Sequence, residues 1–378
     1  MRSSLACGLC VLLLLPAAPT HAASADKVIV GVNMMGVDQI GDAQQEVLAQ
    51  QLQDNGVKTI RTSLGGHGDR YTSFVITAYR HGIGSVVLVS PFANNTAKHA
   101  LAPDAAAGRP LELPALQDAD AQGFRNWLAP ELAKLDAAGV RIVAFEAGNE
   151  INSSPFNADF ATPGPGRPLE LADLNNPADA QGRAVAAGYR AYLKVLAVLK
   201  DMRDHSPLDR TAPILTGVSA WWGEPGQPKY ASMTGASMNG SIEFLRQNGA
   251  DKLVDGYAVH LYTSSDPHRS LAQRVTALEK GFAECNRDTK PCRVTEWAYN
   301  NANRSCPIDD GLRLRLVEDE RAAYRTFAGQ GRLAALIYYS WSGDYVGQKE
   351  SPDPLSLRRS DRGGQIGPQP DVTRRRPC

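Results

Sequence analysis

The chain has 378 residues, 43% of them apolar and 21% charged, a composition that suits a globular protein and excludes a long disordered one. Lys plus Arg and Asp plus Glu both number 40, so the formal net charge is zero. That balance argues against a nucleic-acid partner, which needs a basic face, and fits a neutral substrate.

In chain order, the first feature is an apolar run over residues 5–18 that follows Arg2 and contains Leu12 to Leu15. Small residues come next, through Ala22, Ala23 and Ala25. This is the pattern of a secretory signal peptide cleaved near Ala22 or Ala25, and the run is shorter than the roughly 20 residues of a membrane span. No later segment reads as a membrane span, so the mature protein is expected to be periplasmic or extracellular.

Eight short runs rich in Val, Ile, Leu and Tyr then read as buried strands: 28–36, 58–64, 83–90, 140–150, 212–220, 255–262, 292–298 and 336–341. Several lack polar alternation, as strands covered on both faces do. Between them lie segments of helical period at 42–56, 69–82, 121–139, 181–205, 237–249, 270–285 and 310–331. Glycines or asparagines stop several of them, and Ser270 is placed to cap the sixth. Strand and helix alternation of this count predicts an α/β fold, a (β/α)8 TIM barrel in a single domain. The rival, a doubly wound open sheet, would want a glycine-rich turn after the first strand, and VGVNMMGVDQIG lacks that spacing. The division expected is signal peptide 1–25, barrel 26–345 and a polar Pro/Arg-rich tail 346–378 wrapping the surface. Long inserts at 91–118 and 151–180 follow strands three and four and belong at the mouth.

Removing the signal leaves Cys285, Cys292, Cys306 and Cys378. An even number in an exported chain reads as two disulfides, with Cys285–Cys292 and Cys306–Cys378 the favoured pairing of three. A zinc site is disfavoured, because no C-x-x-C pair or nearby histidines occur.

Two glutamates carry the chemical signal. Glu150 closes AFEAGNE on strand four and Glu296 lies in RVTEWAY on strand seven. An acid in an apolar strand is costly to bury unless it is paired or used. Two of them at one barrel mouth is the arrangement that glycoside cleavage with retention requires, with carboxyl groups about 5–5.5 Å apart. Glu146, four residues before Glu150, points the same way by strand alternation and reads as an interior ion-pair partner of Arg61.

The chain resembles glycoside hydrolase clan A, which includes the family 5 cellulases and mannanases and the family 39 xylosidases. The residues that carry the resemblance are Asn149-Glu150 at strand four, Glu296 at strand seven, Arg61 in KTIRTS, His260 and Tyr262 in YAVHLY, and Trp341 in YYSWSGD. They run one motif per strand across residues 28–344. A histidine that family 5 places near the end of strand three is absent from VVLVSPFANN, where Ser90, Asn94 or Asn95 could stand in. The resemblance implies a retaining β-glycosidase acting on a poly- or oligosaccharide, with Glu150 as acid/base and Glu296 as nucleophile. Glu150 is then expected to have a raised pKa, and Glu296 to stay ionised with help from Arg61 and Tyr262. Substrate-binding roles fall to Arg61, Asn149, His260, Tyr262 and Trp341, the last as an aromatic platform that Trp222, Trp297 and the adjacent Trp221 could extend. No cofactor or metal is implied. The partner is a β-linked glycan, and the protein is expected to be a monomer. The alternative reading is a carbohydrate-binding pseudo-enzyme on the same barrel. A metal-dependent barrel hydrolase would want a histidine cluster such as H-x-H on strand one, which has none.

Overall fold

The computed structural model describes residues 28–65, 67–93, 99–100, 112–161, 167–217, 235–263, 268–286, 290–298 and 310–341. The expected signal peptide, Trp221, Trp222, Asn94, Asn95, Cys306 and the tail with Cys378 lie outside the described residues. Eight parallel strands close into a barrel. They are β1 Ile29–Asn33, β2 Thr59–Ser63, β3 Gly84–Val89, β4 Ala144–Ala147, β5 Ile214–Thr216, β6 Gly256–His260, β7 Cys292–Trp297 and β8 Leu333–Tyr338. Each strand pairs with its neighbours in chain order, and β1 pairs with β8 to complete the ring. Among the described residues, seven helices of ten residues or more alternate with them: α1 Asp42–Asp54, α2 Arg70–Arg80, α3 Ala121–Ala137, α4 Ala180–His205, α5 Met238–Gln247, α6 Leu271–Cys285 and α7 Asp310–Gly329. No described helix is long and apolar enough to cross a membrane.

Strand alternation divides the side chains into an outer and an inner set. The outward residues Ile60, Val87, Phe145, Ile214, Tyr257, Val259 and Val294 are wholly buried in the main core between sheet and helices. The inward residues Val86, Ala144, Leu215, Ala258 and Ile337 form a small apolar floor inside the barrel. Above that floor the interior turns polar, and this upper layer holds the site.

Helix starts follow local chemistry. The Asp120, Asp179 and Ser237 side chains accept from the first-turn amides of Gln122, Gly182 and Gly240 in α3, α4 and α5. Ser270 caps α6 as expected, accepting from Gln273 N, while Gln273 Oε1 accepts from Ser270 N. A disulfide joins Cys285 at the end of α6 to Cys292 at the start of β7, with Cα atoms 5.3 Å apart, as the sequence predicts.

The two long inserts reach the mouth and are bonded to each other. Ala158 N donates to Pro114 O (3.0 Å), and Leu116 N and Gln117 N donate to the side chains of Asn157 and Asp159. The insert after β4 is also tied to the chain before α5, through Asn152 Nδ2 to Ala236 O (2.9 Å) and Leu169 N to Gly235 O (2.8 Å).

Asp159 sits in this junction, buried against Gly188 of α4, where an added Cβ would overlap its Oδ2. Burial pushes its carboxyl up to about 7, although the Gln117 amide and Asn157 pull the other way. The folded state therefore holds the Asp159 proton more tightly than the unfolded chain, so stability falls as pH rises through the window from about 4 to 7. At roughly 1.4 kcal/mol per pKa unit the loss across that window approaches about 4 kcal/mol. Asp159→Asn should remove that contribution, read as a denaturation midpoint that falls less between pH 4 and 7 than the wild type's.

Candidate active site

The site grows from three strand ends and two turns. On β2, Arg61 points into the barrel and is almost fully buried. Its guanidinium reaches four partners at once. Nε and Nη2 donate to both oxygens of Glu146 (2.8 Å each), Nη1 donates to Glu296 Oε1 and Asn33 Oδ1 (2.8 Å each), and Nη2 also donates to Asn149 Oδ1 (2.9 Å). This is the paired, hydrogen-bonded setting that a buried charge requires. Burial alone would lower the Arg61 pKa, but the carboxylates of Glu146 and Glu296 outweigh it and raise it.

Glu296 faces inward because β7 is bulged. The β6–β7 register steps from Val259 opposite Val294 to His260 opposite Glu296, which leaves Thr295 as the extra residue. A bulge lets two consecutive side chains share one face. Thr295 Oγ1 accordingly donates to Glu146 Oε1 (3.2 Å), while its neighbour Glu296 meets Arg61. Tyr262, two residues beyond β6, donates its phenol to Glu296 Oε2 (2.7 Å). Burial and the Glu296 charge keep that phenol neutral, its pKa well above the usual value. Both oxygens of Glu296 thus accept from fixed donors.

Glu150 arrives by a different route. The sequence places it on strand four, but β4 ends at Ala147, and Glu150 stands in the turn beyond with φ of 42°. A non-glycine residue in that region stores strain, a feature that clusters at working sites. Gly148 makes the turn possible with φ of 88°. Gly217 makes it compact, since a Cβ there would sit 2.2 Å from Gly148 O. Ser153 N and Oγ both donate to Glu150 O, and Ile151 N donates to Gly217 O. The Glu150 side chain keeps partial contact with solvent, about 19% exposed, more than Arg61, Glu146, His260 or Glu296.

His260 ends β6 between the two glutamates. Its Nδ1 lies 2.8 Å from Glu150 Oε1 and 3.3 Å from Glu296 Oε2, and its Nε2 lies 4.0 Å from Glu146 Oε1. Burial lowers its pKa, but Glu296 and Glu150 more than reverse this, so the net shift is upward. One oxygen each of Glu150 and Glu296 and a His260 nitrogen all lie within 4.8 Å of one another. Such a set could ligate a divalent cation. Because Arg61 and Tyr262 already donate to Glu296, a cation there would have to displace the phenol beside a fixed positive charge.

The structure thus gathers Arg61, Asn149, Glu150, His260, Tyr262 and Glu296 at one mouth. It does not bring the tryptophans there as open rings. Trp297 follows the bulge and turns to the outer face of β7, edge-on to Tyr324 and Tyr338 at 5.4 and 5.1 Å, so it packs under the helices rather than extending a platform. Trp341 lies three residues past the end of β8, wholly buried, with its backbone N donating to Asn33 O (3.0 Å). It turns no face to solvent in this structure.

Asn33 was not singled out from the sequence. It is fully buried at the end of β1, where Nδ2 donates to Thr295 O (2.9 Å) and Oδ1 accepts from Arg61. A lone asparagine inside the apolar run VIVGVNMM was its only signal.

No protein-family model matches the sequence, and no curated protein does. Solved structures do resemble the fold. The GH5-4 broad specificity endoglucanase from an uncultured bacterium aligns with a TM-score of 0.53 at 12% identity, over 85% of this chain and 89% of that one. The family 5 xyloglucanase from Paenibacillus pabuli aligns with a TM-score of 0.51 at 12% identity, over 90% of this chain and 96% of that one. At such identities the likeness is one of fold, and the fold shared with these enzymes is the (β/α)8 barrel.

Proposed function

We propose that the protein is a retaining glycoside hydrolase acting on a β-linked glycan, with Glu296 as nucleophile and Glu150 as acid/base. The observation that carries the reading is that one oxygen of each carboxylate comes within 4.8 Å of the other. Retention needs them about 5–5.5 Å apart, whereas an inverting pair stands roughly 6.5–9.5 Å apart to admit a water. The environments also differ in the required sense. Glu296 accepts from Arg61 and Tyr262, two fixed donors that hold its carboxylate in place for attack on the anomeric carbon. Glu150 has His260 on one oxygen and partial contact with solvent, which leaves its other oxygen to carry a proton to the leaving group. Asn149 spends its carbonyl on Arg61, leaving Nδ2 to donate to a sugar hydroxyl. The solved structures of similar fold include an endoglucanase and a xyloglucanase, which supports a β-glucan or a related wall polysaccharide as the substrate class. Export belongs to the same reading, and the Cys285–Cys292 disulfide supports an oxidising compartment.

The test combines a reducing-sugar screen on plant-wall and bacterial polysaccharides with the Glu150→Ala variant. That variant should lose on the order of 10²–10⁴-fold on substrates whose leaving group needs a proton, and much less on aryl glycosides with good leaving groups. Added azide should trap its glycosyl-enzyme as a glycosyl azide of retained configuration. A loss independent of leaving group, or no product from any glycan with the wild-type protein, would count against the reading, and the second result would favour a binding protein on this barrel.

A further inference from the structure

We propose, resting on Glu150 as the proton donor, that Tyr192 of α4 is a positioning residue for it: the phenol hydroxyl takes the place of a rung in the β4–β5 ladder and so turns the chain carrying Glu150 into the mouth. The two strands run parallel, with Phe145 opposite Ile214, Glu146 opposite Leu215 and Ala147 opposite Thr216. Phe145 N donates to Pro213 O (2.8 Å). Rungs of a parallel pair are evenly spaced. This register therefore calls for Gly217 N to donate to Ala147 O, and for Asn149 N to donate to Gly217 O after it. The chain departs at both places. Gly217 N donates to the Tyr192 hydroxyl (3.0 Å), and that hydroxyl donates to Ala147 O (2.6 Å). Gly217 O then accepts from Ile151 N (3.2 Å), two residues further along than the register calls for. The slack is taken up in the turn that holds Gly148 at φ of 88° and Glu150 at φ of 42°. On its other edge β4 continues undisturbed, with Gly148 N donating to Val89 O (2.9 Å) on β3. The departure is confined to the edge where the phenol enters.

A tyrosine suits the place because one hydroxyl both accepts and donates, so a buried amide and a buried carbonyl are satisfied without meeting. Tyr192 is wholly buried in the core between sheet and helices, which fixes the ring that holds them apart. At its far end the turn is fastened by Ser153, whose N and Oγ each donate to Glu150 O (3.0 Å). Glu150 thus stands between two brackets, the phenol before it and Ser153 after it. Strained backbone of this kind persists only where its surroundings over-determine it. Without the hydroxyl, Gly217 N and Ala147 O are free to close the missing rung. That closure draws residues 148–150 toward a straight strand and carries the carboxyl away from the leaving oxygen.

The experiment measures kcat/KM of full-chain variants on aryl β-glycosides of the sugar cleaved in the polysaccharide screen, graded from dinitrophenyl to phenyl leaving groups. Tyr192→Phe removes a single oxygen. It should lose about 10- to 100-fold on phenyl glycosides, whose leaving group needs a proton, and no more than about twofold on dinitrophenyl glycosides, which need none. Ser153→Ala should show the same gradient at several-fold, and it decides the matter should Tyr192→Phe not fold. Tyr189→Phe is the control. It deletes an equally buried hydroxyl one turn earlier on α4, bonded to Ser241 Oγ (2.8 Å), and should lower the thermal midpoint without any gradient. Glu150→Ala sets the scale with the steepest gradient of the series. A uniform loss with Tyr192→Phe, or with Ser153→Ala where Tyr192→Phe does not fold, beside a steep Glu150→Ala series would overturn the positioning role and leave the acid/base assignment standing. An equal gradient from Tyr189→Phe would overturn it too, by tracing the effect to packing of α4. A flat Glu150→Ala series would overturn the positioning role and the acid/base assignment together.

Discussion

Glu296→Gln should lose turnover by on the order of 10⁴-fold or more while the protein keeps its fold. The amide has the shape of the carboxylate and can still accept from Tyr262. Arg61 keeps both of its bonds to Glu146, so the buried guanidinium is not orphaned. What disappears is the anion that must attack the anomeric carbon. Glu296→Ala makes the test stereochemical. Azide entering the vacated space beside Arg61 should restore cleavage of an activated aryl β-glycoside by a single displacement, giving a glycosyl azide of inverted configuration. With Glu150→Ala the adduct should instead have retained configuration, because azide then attacks a glycosyl-enzyme already formed on Glu296. The two adducts assign the two roles separately. Retained product from the Glu296 variant would exchange them, and wild-type turnover by Glu296→Gln would remove Glu296 from the chemistry. Circular dichroism and a thermal midpoint close to that of the wild type exclude misfolding as the cause.

The barrel was legible because its strands are covered on both faces and its helices stop on recognisable residues. Central strands read as continuous apolar runs, and the expected bounds of β2 and β3 match the structure to within a residue at each end. Errors gather where local backbone departs from regular alternation. Glu150 was extrapolated along a straight strand, whereas the chain leaves β4 at Ala147 and carries the residue into the mouth through a left-handed turn. Thr295 and Glu296 share one face only because of a bulge, which a strict period of two cannot anticipate, and the same bulge sends Trp297 outward. The last strand begins and ends three residues earlier than the apolar run LIYYSW suggests, so Trp341 is not a strand-end residue. The Arg61–Glu146 pair, by contrast, was readable, since a charge of each sign pointing into one barrel has few other ways to be satisfied.

That pair bears on stability as well as on the site, and the two effects can be separated. Arg61→Leu would leave Glu146 wholly buried with Thr295 Oγ1 as its one remaining hydrogen-bond donor among the described residues. Breaking a buried pair from one side costs about 3–5 kcal/mol, because the surviving charge is stranded without solvent. For a chain of this size the midpoint of thermal unfolding should fall by roughly 5 °C. Activity should vanish as well, since Glu296 loses a fixed cation and Asn149 loses its anchor. The double variant Arg61→Leu, Glu146→Leu removes both charges, and replacing a buried pair with apolar side chains is often neutral or stabilising. It should therefore regain at least about 2 kcal/mol over the single variant, read as non-additivity in a double-mutant cycle by chemical denaturation, while remaining inactive. A double variant no more stable than Arg61→Leu alone would show that the stranded Glu146 charge is not the source of the loss. Recovered activity would show that Arg61 does not hold Glu296 for attack.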